Sequence, residues 1–330
     1  MAAMDAVLRI LEAHRGETVS GEQIAADLRL TRAAVWKAVS GLKDRGFRIA
    51  AGSNRGYTLE SDGGRLHPET IRRHLRASGD FALRIFDEAP GSTNDLVREA
   101  AVQGEPEGLV VIADTQRAGR GRQGRTFVSP PGTGVYMSLL LRPKLPAEEA
   151  VAVTGIAAVA VARAIADVGG GRAGIKWVND IYLRGRKVCG ILTEATMDME
   201  SGGLDYAVLG IGVNLFPPAG GFPPELADIA GAVFPGTPED DERSRLIAAV
   251  LDRFLPLYRT LPDRGWLEEY RSRSILTGRD VRFIREGRET FGRVLGVDDA
   301  ARLLLRLPSG EETALSSGEV QLIRPLEVRE

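Results

Sequence analysis

Residues 115–126, TQRAGRGRQGRT, carry the spacing Gly119-x-Gly121-x-x-Gly124, and the residues downstream of that loop restrict the fold more than any other stretch. A dinucleotide-binding turn needs a helix directly after such glycines and an acidic residue about twenty positions on. Here Pro130 and Pro131 forbid a regular helix, GVYMSLLLRP from Gly134 reads as a strand, and no Asp or Glu occurs from Gly119 through Ala147. The doubly wound dinucleotide fold is thereby excluded. What remains is a glycine loop bearing Arg120, Arg122 and Arg125, whose guanidiniums can make charge-assisted bonds to phosphate or carboxylate of about 1.5–3 kcal/mol each. A solvated basic surface loop is the competing reading.

The chain has 330 residues, 43% of them hydrophobic, enough for two or three domains with at least one sizeable core. A formal net charge of -2 gives no whole-chain argument for nucleic acid or an acidic membrane, so such a function must rest on local charge. Cys189, the sole cysteine, excludes an internal disulfide and suits a reducing cytoplasm. His14, His67 and His74 have no zinc spacing. The N-terminus lacks a basic segment followed by a long apolar run, so no signal peptide is expected. The apolar stretch 150–169 carries Arg163 and Asp167 and reads as a buried helix, not a membrane span.

Residues 4–60 read as three short helices and a hairpin. Ser20 precedes Gln23 at capping-box spacing, Thr31 can cap the third helix, and FRIAAGSNRGYTL outlines a wing, so the unit reads as winged helix-turn-helix. ESDGGRLHPE is a linker, and strands and helices then mix from about 67 to 270. GIKWVNDIYL, RKVCGILTEATM and YAVLGIGVNL are expected as an antiparallel meander. Pro256 should end or kink the helix at about 243–260, and residues 276–328 look like a small barrel. The expected units are 1–65, 66–274 and 275–330.

In GSTND, Ser92 or Thr93 is either a helix N-cap or part of a ligand site. KWVND, if part of a strand, sends Lys176, Val178 and Asp180 to one face and Trp177 and Asn179 to the other; a polar edge strand explains it equally well. In RKVCGILTE, Lys187 is a hairpin or a site lysine, and Gly190 implies a close approach of the backbone. Cys189 reads as a small buried residue. There is no Ser-His-Asp order and no P-loop.

As a set, GSTND, the arginine loop through SPPGTGVYMSLLLRP, KWVNDIYL, KVCGILTE and GIGVNL resemble the biotin protein ligases, and with the N-terminal unit the bifunctional ligase/repressor type. The resemblance implies an α+β multidomain fold: a winged helix-turn-helix, a central mixed α/β ligase domain with an antiparallel sheet of class II synthetase type, and a C-terminal SH3-like β-barrel. It implies that biotin and MgATP give biotinyl-5′-adenylate, whose acyl group passes to a lysine of a carboxylase's biotin-acceptor domain. It assigns catalysis to Lys187, Arg120, Arg122 and Asp180, the last near the incoming lysine or the metal. Ser92, Thr93, Asn94, Gln116, Arg120, Gly121, Arg122, Lys187 and Gly190 are expected at biotin. Gly119, Arg122, Gln123, Gly124, Arg125, Phe127, Asn179 and Asn214 are expected around ATP and the adenylate. The cationic loop should be mobile when empty and ordered by an adenylate. Two positions depart from the family: Phe127 stands where many members have Trp and so lacks an indole N–H, and Val178 stands for Pro, which a strand should tolerate.

From Arg29 to Tyr57 seven basic residues face one acidic one, Asp44. That concentration is a phosphate-contact footprint, with Thr31, Arg32, Trp36, Lys37 and Arg55 as DNA-binding candidates. The resemblance implies operator binding by an adenylate-loaded homodimer in the cytoplasm. A lipoate or octanoate protein ligase and a biotin-sensing regulator without turnover are the alternatives.

Overall fold

The computed structural model describes residues 2–52, 56–146, 149–197, 203–285 and 287–323. Its first unit runs α1 (Ala2–Ala13), β1 (Thr18–Val19), α2 (Gly21–Leu28), α3 (Arg32–Asp44), β2 (Arg48–Gly52) and β3 (Gly56–Ser61), with sheet order β1-β3-β2. Ser20 Oγ accepts from the amides of Glu22 and Gln23 at 3.2 and 3.4 Å, while the Gln23 side chain bonds Asp27, so only half of the capping box forms. Thr31 caps α3 through the Ala34 amide at 3.2 Å. Apolar residues at helical spacing, among them Val7, Leu8, Leu11, Ile24, Val35, Val39 and Leu42, close a core separate from the rest of the protein. Arg32, Trp36 and Lys37 are exposed on α3, as is the capping Thr31. The wing tip, with Arg55, lies outside the described residues.

After α4 (Pro68–His74) come β4 (Ala82–Ala89), α5 (Thr93–Val102), β5 (Leu109–Gln116), β6 (Gly134–Leu141), α6 (Ala150–Asp167), β7 (Gly174–Lys176), β8 (Asp180–Leu183), β9 (Arg186–Met197), β10 (Leu204–Asn214), α7 (Glu242–Arg259) and α8 (Trp266–Ser272). The strands form one sheet, β4-β5-β6-β10-β9-β8-β7, in which only β4 and β5 pair in parallel, through the α5 crossover. Alternation sorts its two faces: Val110, Ile112, Leu139 and Leu141 pack with α6 and α7, whereas Leu109, Val111, Leu140 and Val208 pack with α5. α6 is long and apolar enough to cross a membrane, yet 67% of it is buried inside the protein. The helix α7 continues through Pro256 to Arg259 and does not end there; one lost amide donor is outweighed by the packing of Leu255, Leu257 and Tyr258 on the core.

KWVND is not a continuous strand. Lys176 pairs with Asp180 across a hairpin whose turn is 177–179, and the Trp177-Val178 peptide is cis. The turn ends the alternation expected there, and Val178 is a buried turn residue, not a strand residue.

The last strands, β11 (Asp280–Arg285), β12 (Arg288–Val297), β13 (Leu303–Arg306), β14 (Glu312–Leu315) and β15 (Val320–Leu322), form an antiparallel sheet in the order β14-β13-β12-β11-β15. No closed barrel is seen: among the described residues β14 and β15 do not pair. Val281, Phe283, Leu303 and Val320 share the core of the central sheet, and Trp177 Nε1 donates to Ala301 O at 2.9 Å.

The N-terminal unit docks through charge. Buried Glu12 pairs with Arg15 (3.0 Å) and Arg73 (3.3 Å) and accepts from Thr70 Oγ1 (2.8 Å), while Arg15 also pairs with Asp240. Asp62 is fully buried; one carboxylate oxygen accepts from the Gly64 amide at 2.8 Å and the other has no partner. Burial lifts its pKa from the ordinary 3.8 to about 7, with Asp240 adding to the rise and the Gly64 amide opposing it. The folded protein thus holds this proton more tightly than the unfolded chain. The associated stability is complete below about pH 4 and is lost as pH climbs toward 7. Asp62→Asn, which mimics the protonated form, is expected to raise Tm by a few degrees at pH 8, with the gain shrinking by pH 5. An unchanged or lower Tm at pH 8 would refute it.

Candidate active site

A cavity of about 230 Å³ opens along β9 and β10 beneath the arginine loop. One of its walls is a set of neutral polar groups tied to one another and, at its edges, to the carboxylates of Asp95 and Glu194. Ser92 caps α5 with a full capping box, its amide donating to Asp95 at 3.0 Å. Gln116 Oε1 accepts from Ser92 Oγ (3.1 Å) and Thr93 N (2.8 Å), with Thr93 Oγ1 3.3 Å away. Thr93 Oγ1 meets Ser138 Oγ at 2.7 Å, Ser138 Oγ donates to Asn94 Oδ1 at 2.6 Å, and Asn94 Nδ2 donates to Glu194 at 2.6 Å. GSTND is therefore a helix cap and a cavity wall at once. Ser92, Thr93 and Asn94 are each at most 4% exposed, so unpaired groups here would cost about 1–3 kcal/mol each.

The floor is glycine. A Cβ on Gly210 would run into Asn94 Oδ1, and one on Gly212 would sit 2.7 Å from the Phe127 ring. At Gly190 a Cβ would make ordinary contacts of 3.5–3.6 Å with Lys187 and Phe127, so the close approach expected there belongs to Gly210 and Gly212 instead. Phe127 packs edge-on to Tyr136, at 6.2 Å between centroids, over an apolar wall that includes Met137, Ile191 and Ile211.

A cationic group lies at the other end of β9. Lys187 Nζ is 2.6 Å from Asp180 Oδ1, an ion pair without hydrogen-bond alignment. Lys187 and Glu194 are separated along this strand by roughly 23 Å at about 3.3 Å per residue. Arg122 donates to Asn179 Oδ1 (3.0 Å) and Gly318 O (3.2 Å), and Arg125 pairs with Glu319 at 2.6 Å. Lys176 also lines the cavity; burial lowers its pKa, Asp180 opposes that shift, and Lys187 adds to it. Cys189 is wholly buried and burial pushes its thiol well up, leaving it neutral.

Ser92, Thr93, Asn94, Gln116, Arg120, Gly121, Arg122, Gln123, Arg125, Phe127, Asn179, Asp180, Lys187, Gly190 and Asn214 all line this one cavity. Gly119 does not; it packs beneath Phe127 O and Ser129, and Gly124 stands at the loop tip with a left-handed φ of +74°. The turn brings Lys176, Trp177, Asn179 and Asp180 to the cavity together, contrary to the two-face expectation. Sequence reasoning passed over Ser138, a lone polar residue in an apolar strand, and Glu194, an acid ending GILTE. It also passed over Phe222, Leu226 and Ile229 of the Pro-rich connection, and the Gly318 and Glu319 lining from the C-terminal sheet. Among the described residues no three Asp, Glu, His or Cys side chains gather as a metal cage.

Residues 90–214 match the Biotin/lipoate A/B protein ligase family, residues 4–58 an HTH domain and residues 277–323 the Biotin protein ligase C terminal domain. The chain is 35% identical over 297 residues to the Bifunctional ligase/repressor BirA of Bacillus subtilis, covering 89% of this chain and 91% of that one. It is 30% identical over 314 residues to the Bifunctional ligase/repressor BirA of Escherichia coli, covering 92% and 95%. The biotin protein ligase of Aquifex aeolicus, solved in complex with biotin and ATP, superposes with a TM-score of 0.60 at 26% identity over 73% of this chain and 98% of that one.

The exposed Arg125–Glu319 pair holds the loop to the C-terminal sheet with about 0–1 kcal/mol. Glu319→Ala is therefore expected to speed tryptic cleavage after Arg122 by up to about fivefold without changing Tm. Adding the reversal Arg125→Glu to Glu319→Arg should restore the slow rate; equal cleavage in all three proteins would remove the latch.

Proposed function

This chain belongs to the biotin protein ligases, in the group that joins the ligase to a DNA-binding repressor domain, and on that premise we propose how its residues divide the work. It joins biotin to ATP, forming biotinyl-5′-adenylate and releasing pyrophosphate, and then passes the biotinyl group to a lysine of a carboxylase's biotin-acceptor domain. In the first step a biotin carboxylate oxygen bonds the α-phosphorus as pyrophosphate leaves. In the second the acceptor amine bonds the acyl carbon, loses a proton and AMP leaves.

The observation that carries this reading is one cavity with a neutral, hydrogen-bonding wall at one end and cations at the other. Biotin's ureido ring offers donors and acceptors to Ser92, Thr93, Asn94 and Gln116, and its carboxylate reaches toward Lys187 with Arg122. Arg120, Gly121 and Gly190 border it. Lys187 and Arg122 counter charge developing on the carboxylate and α-phosphate, work that fixed donors do at little reorganisation cost. Lys176 is a third basic group at this end; burial lowers its pKa, and an anion bound beside it would favour its charged form. Gly119, Gln123, Gly124, Arg125, Phe127, Asn179 and Asn214 form the nucleotide side. Phe127, lacking an indole N–H, contributes stacking alone. Asp180, beside Asn179, and Glu319 are carboxylates lining the cavity that would hold Mg²⁺ together with substrate phosphates and water, and the ion would offset phosphate charge. Asp180, paired with Lys187, would alternatively meet the incoming lysine's ammonium.

An octanoate or lipoate ligase would leave the hydrogen-bonded wall facing an alkyl chain. Pyrophosphate exchange into ATP separates these: we expect exchange with biotin and none with octanoate or lipoate, and a loss of about 10²–10³-fold in Lys187→Ala. Exchange with no acid would leave a biotin sensor without turnover.

The units proposed are 1–65, 66–274 and 275–330, the last as an SH3-like fold and the central one as a class II synthetase-like domain. The setting is the cytoplasm. Operator DNA is bound through Thr31, Arg32, Trp36 and Lys37 of α3 and by Arg55, in a homodimer promoted by the adenylate. The exposed α3 face, with Trp36 64% exposed, supports it. Adenylate-loaded protein should bind its own upstream DNA at least about 10³-fold more tightly than random DNA. Equal, steeply salt-dependent affinities would remove the repressor role.

A further inference from the structure

We infer that Glu194 is a positioning residue of the ligase: from the far end of β9 it fixes both the Asn94 amide and the Arg120 root of the arginine loop. The inference rests on the ligase reading of the cavity. Glu194 Oε2 accepts from Asn94 Nδ2 at 2.6 Å and lies 3.0 Å from Arg120 Nη2, while Oε1 accepts from Arg98 Nη2 at 2.9 Å. Asp95 Oδ1 meets the same two guanidiniums, Arg98 at 3.0 Å and Arg120 at 2.8 Å. Two carboxylates and two guanidiniums thus alternate in a charge-balanced ring, and removing Glu194 leaves Asp95 alone against both cations.

Asn94 has little freedom to compensate. Its Oδ1 is held by Ser138, and the absence of a Cβ at Gly210 is what makes room for that oxygen. On the nitrogen side the remaining contact among the described residues is Leu192 O at a long 3.5 Å, so Glu194 supplies the short bond that sets which way the amide faces. Arg120 begins the loop and bridges back to Thr126, so the carboxylate that orients it also orients the loop. Glu194 is 30% exposed and its ion pairs are screened. Its effect is therefore on geometry and on ligand retention more than on global stability.

Two substitutions divide the role. Glu194→Gln keeps an oxygen that accepts from Asn94 but loses the charge facing Arg98 and Arg120; Glu194→Ala loses both. Biotin binding by calorimetry, steady-state pyrophosphate exchange, adenylate release by stopped flow and Tm are measured for each. Glu194→Ala is expected to weaken biotin about tenfold, seen equally in KM, to speed adenylate release about tenfold, and to leave kcat within about threefold. Glu194→Gln is expected to bind biotin within about twofold of the wild type yet release adenylate as fast as Glu194→Ala, with both Tm values within a few degrees. Unchanged biotin affinity and release in both variants, or affinity losses matched by a large fall in Tm, would overturn the inference. So would a glutamine variant that binds biotin as poorly as the alanine variant. Failure of the wild type itself to make adenylate would count against the ligase reading alone, since calorimetry still reads Glu194.

Discussion

The carboxamide of Gln116 is the joint on which the site depends. Its oxygen accepts from the Thr93 amide at 2.8 Å and the Ser92 hydroxyl at 3.1 Å at the start of α5, and its nitrogen donates to Ser129 Oγ at 2.8 Å. A helix start leaves backbone amides without intrahelical partners, and burying them unpaired is costly. Gln116, the last residue of β5, meets that demand while fastening α5 to the strand beyond its own crossover and to the segment leaving the arginine loop. Asn94 and Ser138 are then placed by default, each short bond requiring the next. The wall is rigid because no member can turn without orphaning a buried neighbour.

The arginine loop is held on a different principle. Arg120 is tied to Asp95 and Glu194, Arg122 to Asn179 and a carbonyl of the C-terminal sheet, and Arg125 to Glu319. These ties come from three separate parts of the chain, and each partly exposed pair contributes about 0–1 kcal/mol. A loop secured by several weak ion pairs has a defined conformation and still exchanges protein carboxylates for phosphate at small cost. A single buried ion pair would hold as well but would not let go, since breaking one costs about 3–5 kcal/mol.

The sequence made much of this legible, for physical reasons. Period changes marked the winged helix, and Pro130 and Pro131, by forbidding the helix a dinucleotide turn needs, left the arginines as the loop's ligand-binding groups. Local chemistry left Ser92, Lys187 and Asp180 open between cap, hairpin or edge-strand roles and a ligand site, and the family resemblance singled them out together with Gln116; all four line the cavity. Where it misled, a turn was hidden: KWVND alternates like a strand, and nothing in five residues reveals that Lys176 and Asp180 face each other across a hairpin. Contacts between distant segments were equally invisible. Glu194 meets Asn94 and Arg120 because β9 lies beside β10, on which α5 packs, and Glu319 meets Arg125 only through the docking of a separate sheet.

The docking of the DNA-binding unit reflects the same preference for polar joints. Its apolar core is self-contained, so its position on the ligase is set by buried charges and hydrogen bonds, not by a continuous hydrophobic interface. Arg243, 2% exposed, donates to Gly64 O within the linker, to Gly134 O at the head of β6 and to Asp114 in β5. Asp114 Oδ1 also accepts from the Gly132 amide at 3.1 Å, on the segment that leaves the arginine loop, and stands two residues before Gln116. One guanidinium therefore joins the linker of the DNA-binding unit to the strand that ends in the ligand wall. Apolar contacts slide and deform gradually, whereas a buried arginine with directional partners is either seated or not.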